Sequence, residues 1–550
     1  MRTTPQSRID ELTSSNSWAQ QCLHQLLAAN ASKLPDLLAL KDAPNRNELC
    51  GDSPTSLTWQ ELNTASDNLA RQLHAAGIKP DDIVVIQLPN IVEIVVLFFA
   101  CSKMGVIASP VPVQYGPFEL EKISQTLDAK TIITVGEFRG TPLGQELRRA
   151  FKDLNVLVFG EQLSIDTAVS GAYQHQLSTD ANAILSICWT SGTTGTPKGV
   201  PRSHNMWTAS SSKAATASGL AEGDRVLCPF PMVNMAALGG VLFPATLRCC
   251  SIFLHHPLEP ELMLMQMQDE QITYTLAPPA VLNQLAKSPQ MWNKFDFKSL
   301  RAIGSGSAPL SPWMIEVFSN QYGVEVINIY GSNEGIGLFS TPAIAPEPEV
   351  RASMFPIPKP ADAMQTKVVD TSTHQVLTEV GAVGELLVHG PSVFDGYFEH
   401  PTSEAKMQDL SDPLFDEDGY FHTGDLVEIC GSEDGFYKIA GRCKDIINRG
   451  GMKISPIEID VALEGHPDIA EAAVCAYPDD RLGEKICACL VLKPQSTPIT
   501  LDAIADFLQE LGMAKFKLPQ RLEYFDALPR NAIGKVQRFA LQEQISAVKK

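Results

Sequence analysis

Short apolar runs rich in β-branched residues recur along the chain, and each closes at a glycine or a proline. They include 81–89 (DDIVVIQLP), 129–136 (AKTIITVG), 155–160 (NVLVFG) and 325–331 (EVINIYG). Runs of this length without polar alternation are typical of strands buried on both faces of a parallel sheet. Helical patterns separate them, so the chain is predicted to form an α/β fold with a largely parallel sheet.

One of the intervening helices has clear ends in the sequence. Thr58 and Glu61 form a capping box, leucines follow at helical spacing, and Gly77 closes the pattern. A second apolar helical run leads to Gly105, and the β-like run 106–113 (VIASPVPV) follows it. Helix and strand therefore alternate, as the predicted fold class requires.

The pattern changes in the last third of the chain. From about Gly381, short alternating strands with Asp-Gly and Gly turns predict a β subdomain at the end of a large domain. A compact α+β pattern follows it. We therefore predict a large domain at 1–441 and a small domain at 442–550, with the boundary in the turn between Gly441 and Lys444.

Composition excludes several classes of protein. The chain has 550 residues, more than one hydrophobic core usually supports, and 43 basic against 63 acidic residues give a net charge of −20. Such a charge repels nucleic acid and anionic lipid. The longest uncharged apolar stretch, at 94–101, is far shorter than the roughly 20 residues of a spanning helix.

The amino terminus and the cysteines bear on the compartment. The first residues lack the apolar core of a secretory signal. Twelve cysteines include no Cys-x-x-Cys pair and no spacing typical of a zinc site. We therefore expect a cytoplasmic protein with reduced, mostly buried thiols, no membrane span and no nucleic-acid partner.

The stretch 190–199 (TSGTTGTPKG) directly follows an apolar run and looks like a phosphate loop. It lacks the Gly-x-x-x-x-Gly-Lys-[Ser/Thr] spacing of the Walker loop, because Pro197 and Lys198 follow the glycines. Its main-chain N–H groups and hydroxyls could still wrap a polyphosphate, with Lys198 as a point charge. Alone, the stretch is equally consistent with a polar surface turn.

Three further motifs carry polar residues at the ends of predicted strands or turns. Tyr330 lies at the carboxyl end of a strand, where it could stack on a base, and Glu334 could hold Mg²⁺. Asp425, after a predicted tight turn, and Arg442 suit ribose hydroxyls. Lys535 follows a glycine turn near the carboxyl terminus. Taken singly, each motif has an ordinary structural explanation. Tyr330 and Glu334 could belong to a turn at the end of a strand, Asp425 could be a solvated cap, and Lys535 could be a surface lysine.

Together and in this order, the motifs resemble the adenylate-forming superfamily of acyl- and aryl-CoA synthetases, peptide-synthetase adenylation domains and luciferases. The resemblance runs from about Leu57 to Leu541 and rests on TSGTTGTPKGV, GSGSAPLS, YGSNEG, YFHTGDL, GFYKIAGRCKDIINRGGMKISPIEID and GKVQR. It implies a large domain of αβ layers with a β subdomain, and a small mobile α+β domain. It also implies two steps, in which ATP and an acid form acyl-AMP and a thiol then takes the acyl group.

The resemblance implies roles for individual residues. Lys535 would bridge the acyl carboxylate and the α-phosphate, and Glu334 would carry Mg²⁺. Lys444, beside the Gly-Arg pair, would be the hinge about which the small domain swings. Gly450 and Gly451 would then admit a pantetheine arm. The nucleotide would contact Thr190, Ser191, Gly192, Thr193, Thr194, Gly195, Lys198, Gly306, Ser307, Ala308, Tyr330, Gly331, Ser332, Asn333, Asp425 and Arg442.

Two positions depart from the family pattern. Asn333 stands where many relatives have threonine, and Ser307 where they have a second glycine. An amide therefore replaces a hydroxyl near the α-phosphate. We expect activity to survive, because an amide can still donate a hydrogen bond.

The acyl pocket is expected at Asn234, Met235, Leu238 and Gly239. Stand-alone aryl-acid ligases of siderophore synthesis, which other parts of the chain resemble, carry His-Asn where Asn234 and Met235 stand here. The altered pair argues against a dihydroxybenzoate. It favours a hydrophobic acid, aromatic or medium-chain, and the lack of an aspartate in PFPMVNM disfavours an amino acid.

Several alternatives stay open at this point. The acceptor thiol is that of CoA or of a carrier-protein phosphopantetheine, and a carrier-specific aryl-acid AMP ligase is the main alternative to a CoA synthetase. A luciferase-like oxygenation has no support in the sequence. A catalytically silent nucleotide-binding relic is disfavoured because Lys535, Glu334 and Asp425 are all present.

Overall fold

The computed structural model describes residues 1–168, 171, 173, 177–190, 197–359, 362–399, 414–431, 435–450, 452–479, 481–530 and 535–547. The chain divides into two compact units. Unit 1 comprises Met1–Arg351 and Gly390–Leu414, and unit 2 comprises Ala352–His389 and Phe415–Lys550. The predicted domain boundary at 441/442 falls inside unit 2 and stays a prediction.

Unit 1 is built from alternating strands and helices. In chain order its strands are β1 (Leu38–Lys41), β2 (Ser56–Thr58), β3 (Ile83–Gln87), β4 (Ile107–Pro110), β5 (Thr131–Val135), β6 (Asn155–Phe159), β7 (Ile184–Thr190), β8 (Lys198–Ser203), β9 (Arg225–Cys228), β10 (Ser251–Leu254), β11 (Tyr274–Leu276), β12 (Ala302–Gly306), β13 (Glu325–Gly331) and β14 (Gly337–Ser340).

The helices of unit 1 pack against these strands. In chain order they are α1 (Gln6–Ser14), α2 (Leu23–Lys33), α3 (Arg46–Cys50), α4 (Trp59–Ala75), α5 (Val92–Met104), α6 (Pro117–Leu127), α7 (Leu143–Ala150), α8 (His204–Ala217), α9 (Met235–Ala237), α10 (Phe243–Arg248), α11 (Pro260–Asp269), α12 (Pro279–Lys287), α13 (Pro289–Trp292) and α14 (Pro312–Val317). A π-helical turn, Leu238–Leu242, joins α9 to α10.

Two sheets organise unit 1. One has the order β14-β13-β12-β11-β9-β10-β1-β2 and the other β6-β5-β3-β4-β7-β8. Neighbours in the interior of both sheets run parallel, whereas β2, β8 and β14 pair antiparallel at sheet edges. The predicted α/β class with a largely parallel sheet is therefore confirmed.

The sequence patterns behind these elements act locally. Thr58 and Glu61 form the predicted capping box of α4, and Gly77 follows its end with φ of +89°. Every residue of β3 is buried. Helix α5 is buried along almost its whole length and ends at Gly105 in the left-handed region, because a glycine there has no Cβ to strain.

Unit 2 begins with strands and ends with a mixed set. After α15 (Pro348–Ser353), at the division between the units, its strands are β15 (Met354–Pro356), β16 (Gln365–Val369), β17 (Val376–Leu377), β18 (Val383–His389), β19 (Phe421–Cys430), β20 (Phe436–Arg442), β21 (Ile447–Arg449), β22 (Met452–Ile454), β23 (Ile469–Asp479), β24 (Gly483–Leu492) and β25 (Arg521–Tyr524). Its helices are α16 (Pro456–Glu464), α17 (Leu501–Glu510) and α18 (Arg538–Ala547).

The β subdomain is confirmed, but it starts earlier than predicted. Its antiparallel sheet has the order β15-β20-β19-β18-β16-β17 and thus begins at Met354 rather than near Gly381. The first strand, β15, has three residues, and its partner lies far along the chain, since Met354 pairs with Lys438. Local turn signals therefore do not mark it.

The tight turn expected before Asp425 is wrong. Residues 421–430 form one strand, in which Gly424 has φ of +71° and the pairing with β18 shifts register between Glu385 and Leu387. The Glu385 carboxylate accepts the main-chain N–H of Gly424 at 2.9 Å. A bulge closed by a side chain therefore replaces the turn.

The remaining part of unit 2 is the predicted α+β set. A sheet of β22-β21-β24-β23, with β25 beside β24, packs with α16 and α17 around one apolar cluster. All twelve cysteines of the chain are free, nine buried and three partly exposed, as expected for buried thiols. Within the described residues, no helix is long and apolar enough to cross a membrane.

Candidate active site

The phosphate-loop stretch joins two paired strands. Thr190, the last residue of β7, lies opposite Lys198, the first residue of the antiparallel strand β8. The Thr190 hydroxyl donates to the Lys198 carbonyl at 3.5 Å. The stretch therefore leads into a strand, whereas a Walker loop leads into a helix. The expected ligands Ser191, Gly192, Thr193, Thr194 and Gly195 lie outside the described residues.

The expected adenine-binding residues follow the ends of two neighbouring parallel strands. Gly306 ends β12 and pairs with Ile329, the residue before Tyr330 in β13. A Cβ on Gly306 would lie 2.0 Å from the Ile329 carbonyl oxygen, so only glycine fits there. Ser307 has φ of +71°, which is strained for serine and agrees with the glycine expected from the resemblance. Ala308 follows, and Tyr330 is half-buried.

Glu334 is a buried carboxylate just beyond β13, after Gly331 and Ser332. It is 9% exposed, and its Oε1 accepts a hydrogen bond of 3.1 Å from the hydroxyl of Tyr397. Burial, and then the charge of Glu334, raise the pKa of Tyr397. The ammonium of Lys198 lies 4.7 Å from the centre of the Tyr397 ring. Lys198, Tyr397 and Glu334 thus form one cluster.

A tight main-chain contact fixes Glu334 from the other side. Gly335 has φ of +107°, and a Cβ there would lie 1.8 Å from the carbonyl oxygen of Ser392. The Ser392 hydroxyl donates to the Gly335 carbonyl at 2.8 Å, and the Phe394 N–H donates to the Glu334 carbonyl at 2.9 Å. The segment 390–398 therefore braces both the main chain and the side chain of Glu334.

The amino-terminal residues hold this same segment. The Arg8 guanidinium pairs with Asp395 at 2.6 Å and donates to the carbonyls of Gly390 and Val393 at 2.8 and 2.9 Å. The Trp18 indole donates to the Pro391 carbonyl at 2.9 Å. Helix α1 and the residue Trp18 thus clamp the chain that carries Tyr397.

A buried cation lies behind Glu334. Arg202 is 0% exposed and donates to the carbonyls of Asn333 and Met206 at 3.0 and 3.1 Å. Its guanidinium stacks 4.5 Å from the Trp207 ring, and no carboxylate of the described chain lies within ion-pair distance. Burial lowers the pKa of Arg202 to about 10, against smaller raising effects of Cys188 and then of Glu334.

The expected acyl-pocket residues lie together at the start of one helix. Asn234 caps it, because its Oδ1 accepts the N–H groups of Ala236 and Ala237 at 3.1 and 3.5 Å. A Cβ on Gly239 would lie 2.3 Å from the Met235 sulfur and 3.2 Å from the Trp207 ring. Leu238 is 0% exposed. Leu238 and Gly239 are therefore part of the interior, and Met235 is the partly exposed apolar side chain at this helix start.

Asn333 connects the helix start at Met235, which carries the expected acyl-pocket residues, to strand β7, which leads into the phosphate-loop stretch. Its Oδ1 accepts the Met235 N–H at 2.8 Å, and its Nδ2 donates to the Trp189 carbonyl at 3.1 Å. The family resemblance placed Asn333 near the α-phosphate, and sequence reasoning missed Tyr397, Arg202 and Trp189. No local pattern marks those three, because their partners are distant in the chain.

Unit 2 brings together the other expected residues. Asp425 and Arg442 pair across β19 and β20, with Nε 2.9 Å from Oδ1 and with side chains that are 11% and 42% exposed. Lys535 is exposed overall, yet desolvation of its ammonium and the charge of Arg442 lower its pKa to about 8, while Asp425 raises it.

The expected hinge and thiolation residues lie on the surface of unit 2. Lys444 is exposed in the turn between β20 and β21. Gly450 has φ of +59°, and its N–H donates to the Leu482 carbonyl at 2.7 Å. Gly451 lies outside the described residues. The structure therefore places Gly450 at the turn between β21 and β22, where a left-handed residue is needed.

The sequence matches two family models. Residues 27–398 match the model described as AMP-binding enzyme, and residues 458–535 match the AMP-binding enzyme C-terminal domain. Together they cover most of the chain, including most of the candidate-site residues described above.

Similar proteins include ligases of two kinds. The medium-chain fatty-acid–CoA ligase of Escherichia coli (strain K12) is 29% identical over 96% of this chain and 91% of its own length. The salicyl-AMP ligase / salicyl-S-ArCP synthetase of Mycobacterium tuberculosis (strain H37Rv) is 29% identical over 98% of this chain and 94% of its own length.

A solved structure extends the similarity to a reaction intermediate. The o-succinylbenzoate CoA synthetase from Bacillus subtilis, in complex with the acyl-adenylate OSB-AMP, superposes with a TM-score of 0.78 at 25% identity. The match covers 95% of this chain and 98% of that one.

Proposed function

The chain belongs to the AMP-binding enzyme family, and from this membership we propose that it activates a hydrophobic monocarboxylic acid with ATP. The acid becomes acyl-AMP with release of pyrophosphate, and the acyl group then passes to the thiol of CoA or of a carrier-protein phosphopantetheine. We place this activity in the cytoplasm, where these reactants occur.

The observation that carries the proposal is the environment of Glu334. Its carboxylate is buried, accepts one hydrogen bond from Tyr397, and has no ion-pair partner among the described residues. One hydrogen bond from a neutral hydroxyl, with the Arg202 cation beyond ion-pair distance, compensates a buried carboxylate only in part, and the remaining cost is considerable. Carboxylate oxygens are the ligands that Mg²⁺ prefers, so this residue fits the metal that accompanies ATP. Bound there, Mg²⁺ would neutralise phosphate charge.

The first step needs charge and position rather than a protein nucleophile. The acid carboxylate attacks the α-phosphorus, the bond to the β-phosphate oxygen breaks, and pyrophosphate leaves. Lys535, in its protonated form, offsets the negative charge on the carboxylate and α-phosphate. Asp425 accepts the ribose hydroxyls, Arg442 holds that carboxylate in place, and Lys198 attracts the outer phosphates.

In the second step, a thiol sulfur replaces the AMP phosphate on the acyl carbonyl carbon. The thiol attacks the acyl carbonyl, its proton passes to solvent or base, the carbon–oxygen bond to phosphate breaks, and AMP leaves. We propose that Lys444 serves as the hinge and that the turn at Gly450 and Gly451 admits the pantetheine arm. Lys535 has no role in this step, so the two half-reactions are separable.

The start of the helix at Met235, where the acyl pocket is expected, favours a hydrophobic acid with a single carboxylate. Its first three N–H groups are all bonded, that of Met235 to Asn333 and those of Ala236 and Ala237 to Asn234. The helix end therefore offers no spare donor to a second carboxylate or to ring hydroxyls. The partly exposed Met235 side chain, with the buried Leu238 and Trp207 near it, makes this region apolar instead. An aryl or medium-chain group loses little by desolvation in such a region.

The acceptor has two candidates, and the similar proteins represent both. One is named a CoA ligase and the other a salicyl-S-ArCP synthetase. We propose CoA or carrier-bound pantetheine without preference, since both present the same thiol and arm. A carrier-specific aryl-acid AMP ligase is thus the second candidate function.

ATP–pyrophosphate exchange across a panel of acids tests the proposal. Octanoate, decanoate, benzoate and salicylate are compared with 2,3-dihydroxybenzoate and oxalate. We expect exchange with at least one of the first four and the least with the last two. Fastest exchange with oxalate would contradict the assigned acid class. No exchange with any acid would favour the nucleotide-binding relic instead.

A second assay decides the acceptor. The best acid from the panel is supplied with ATP and either CoA or a phosphopantetheinylated carrier protein, and AMP release is measured. Light emission in the absence of a thiol would point to the luciferase-like alternative. Glu334→Gln serves as the control, because it should lower acid-dependent AMP release by about 10²-fold with either acceptor.

A further inference from the structure

The Asn333 side chain has both of its ends engaged within unit 1. Oδ1 accepts a main-chain N–H from Met235, and Nδ2 donates to a main-chain carbonyl of Trp189. Because one partner is a pure donor and the other a pure acceptor, the orientation of the amide is set by its neighbours. The amide therefore spans two chain segments that are well separated in sequence, at 189 and 235.

The two segments have different tasks in the proposed reaction. Met235 is the first residue of the helix at 235–248, which forms the acyl surface. Trp189 precedes Thr190, the last residue of strand β7, after which the expected phosphate-binding stretch begins. The Trp189 indole donates a hydrogen bond of 2.9 Å to the buried Ser109 hydroxyl. One side chain thus ties the acyl surface to the strand that leads to the phosphates.

The tether is itself held firmly. The Asn333 carbonyl accepts Arg202 Nη1 at 3.0 Å, and Arg202 is fully buried. The two residues that follow Asn333 are fixed by Phe394 and Ser392. Asn333 is half-buried, and hydrogen bonds hold its amide, its carbonyl and the two residues after it. The amide therefore has few alternative positions relative to Met235 and Trp189.

We propose that Asn333 is a positioning residue that sets the acyl surface at a fixed distance from the phosphate strand. The carboxylate of the acid must approach the α-phosphorus closely, and misplacement by about 1 Å costs about 10²-fold in rate. This inference rests on the proposed function. It also explains the residue type, since a threonine oxygen sits one bond nearer the main chain and is a single atom.

Two substitutions at Asn333 distinguish its hydrogen bond with Met235 from its hydrogen bond with Trp189. Asn333→Asp keeps the size and the oxygen facing Met235, but it sets a carboxylate oxygen against the Trp189 carbonyl. Asn333→Ala removes both bonds. Asn328→Ala is the matched control, because Asn328 lies in the strand just before Asn333 and its buried amide donates to the Arg351 carbonyl at 2.9 Å, away from the site.

The first measurement is the rate of ATP–pyrophosphate exchange with the best acid and with its homologue one methylene shorter. We expect both Asn333 variants to lower kcat by about 10²-fold. For a tight pocket the ratio of kcat/KM between such acids is about 10–200, and Asn333→Ala should reduce it by at least about threefold. Asn328→Ala should leave the ratio unchanged.

A pair of substitutions at Met235 checks that the effect runs through its N–H. Proline is favoured at the first position of a helix and lacks this N–H, whereas alanine keeps it. Met235→Pro should therefore lower the ratio of kcat/KM between the two acids, called here the acid ratio, more than Met235→Ala does. Adding Asn333→Ala to Met235→Pro should change the ratio little further, since the shared bond is already gone.

The second measurement does not depend on activity. Hydrogen–deuterium exchange of the full chain should show faster exchange at the Met235 amide in Asn333→Ala, retained protection in Asn333→Asp, and no change in Asn328→Ala. If hydrogen exchange at the Met235 amide were unchanged in Asn333→Ala, the tether would be overturned, whatever the activity of the protein. If the wild-type protein activated no acid in the panel, the proposed function would be refuted, and the exchange measurement would still test the tether.

Two kinetic outcomes would also overturn the inference. One is that folded Asn333 variants keep kcat and the acid ratio within about twofold of wild type. The other is that only the KM for ATP rises while the acid ratio stays constant, which would make Asn333 a direct ligand of the nucleotide. Thermal unfolding of each variant confirms that the proteins compared are folded.

Discussion

The candidate residues of unit 1 and those of unit 2 differ in how deeply they are buried. In unit 1, Glu334 and Arg202 are 9% and 0% exposed and are bonded to neighbours. In unit 2, the Arg442 side chain is 42% exposed and Lys535 is exposed overall. Buried bonded groups hold geometry, because each broken bond leaves an unsatisfied group. Exposed charges respond to salt and pH. We infer from this difference that the Glu334 region of unit 1 contributes positioning to the proposed reaction, and that Arg442 and Lys535 of unit 2 contribute charge.

The substitution expected to have the largest effect is Lys535→Ala. If unit 2 supplies charge to the first step, the rate of acyl-AMP formation should fall by about 10³-fold, because one positioned charge is lost. Thiol transfer from supplied acyl-AMP should stay near the wild-type rate. Both half-reactions are measured separately, by pyrophosphate exchange and by thioester formation.

A lysine elsewhere in unit 2 provides the control for this substitution. Lys493 is bonded to the Pro467 carbonyl, outside the site, and Lys493→Ala should leave both half-reactions unchanged. Equal loss of both half-reactions in Lys535→Ala would contradict the division of labour between the two units.

Substitutions around Glu334 test the positioning side of the comparison. Glu334→Gln should lower adenylation by about 10²-fold and raise the Mg²⁺ concentration needed for half-maximal rate. Tyr397→Phe removes one hydrogen bond to the carboxylate and should cost about tenfold. The Mg²⁺ dependence of pyrophosphate exchange measures both.

The exposed Glu316 supplies a control of the same residue type. Glu316→Gln should leave the Mg²⁺ dependence unchanged. If Tyr397→Phe were as active as wild type, the hydrogen bond to Glu334 would have no positioning role, and the buried cluster would be a feature of packing alone.

The amino-terminal clamp should give a moderate effect. Arg8 and Asp395 have side chains that are only 14% and 5% exposed. Removing one partner of such a buried pair costs about 3 kcal/mol locally, and it loosens the segment that carries Tyr397. Arg8→Ala should therefore lower the midpoint of thermal unfolding and reduce adenylation by about fivefold.

Arg2 offers a matched control, because its pair with Asp180 is exposed and such pairs contribute about 0–1 kcal/mol. Arg2→Ala should leave both measurements near those of wild type. A midpoint unchanged in Arg8→Ala would show that the clamp does not stabilise unit 1.

The smallest expected effect is a shift in pH dependence. Lys535 acts protonated and its pKa is lowered to about 8, so kcat/KM for adenylation should be constant at lower pH and fall above about pH 8. Because Asp425 raises this pKa and Arg442 lowers it, Asp425→Asn should move the falling limb to lower pH and Arg442→Gln to higher pH.

The second half-reaction is the internal control for the pH dependence. Thiol transfer from supplied acyl-AMP should lack this limb, apart from ionisation of the thiol itself. A limb that stays in place in both Asp425→Asn and Arg442→Gln would assign it to another group.

The fold was predictable because its signals are local. The capping box at Thr58, the left-handed glycine at Gly105 and the buried run of β3 each act within a few residues. The candidate residues Thr190 and Tyr330 could be located for the same reason, since Thr190 follows an apolar run and Tyr330 ends a predicted strand. Asp425 was predicted after a turn and lies instead within β19. Their roles came from the family resemblance and not from these patterns.

The interactions that the sequence missed are all long-range. Tyr397 and Glu334 are 63 positions apart, Asn333 and Met235 98, and Arg202 and Asn333 131. Periodicity carries no information at such separations. The wrong turn before Asp425 has the same origin, because the Glu385 carboxylate that closes the bulge lies on another strand.

The π-helical turn Leu238–Leu242 between α9 and α10 has an evolutionary consequence. Such a turn holds one residue more than an α-helix of the same rise. Loss of either Gly239 or Gly240 would restore regular winding and rotate Met235 about the helix axis relative to the residues after it. On the proposed function, a single-codon deletion here would therefore change which side chains face the acid in one mutational event.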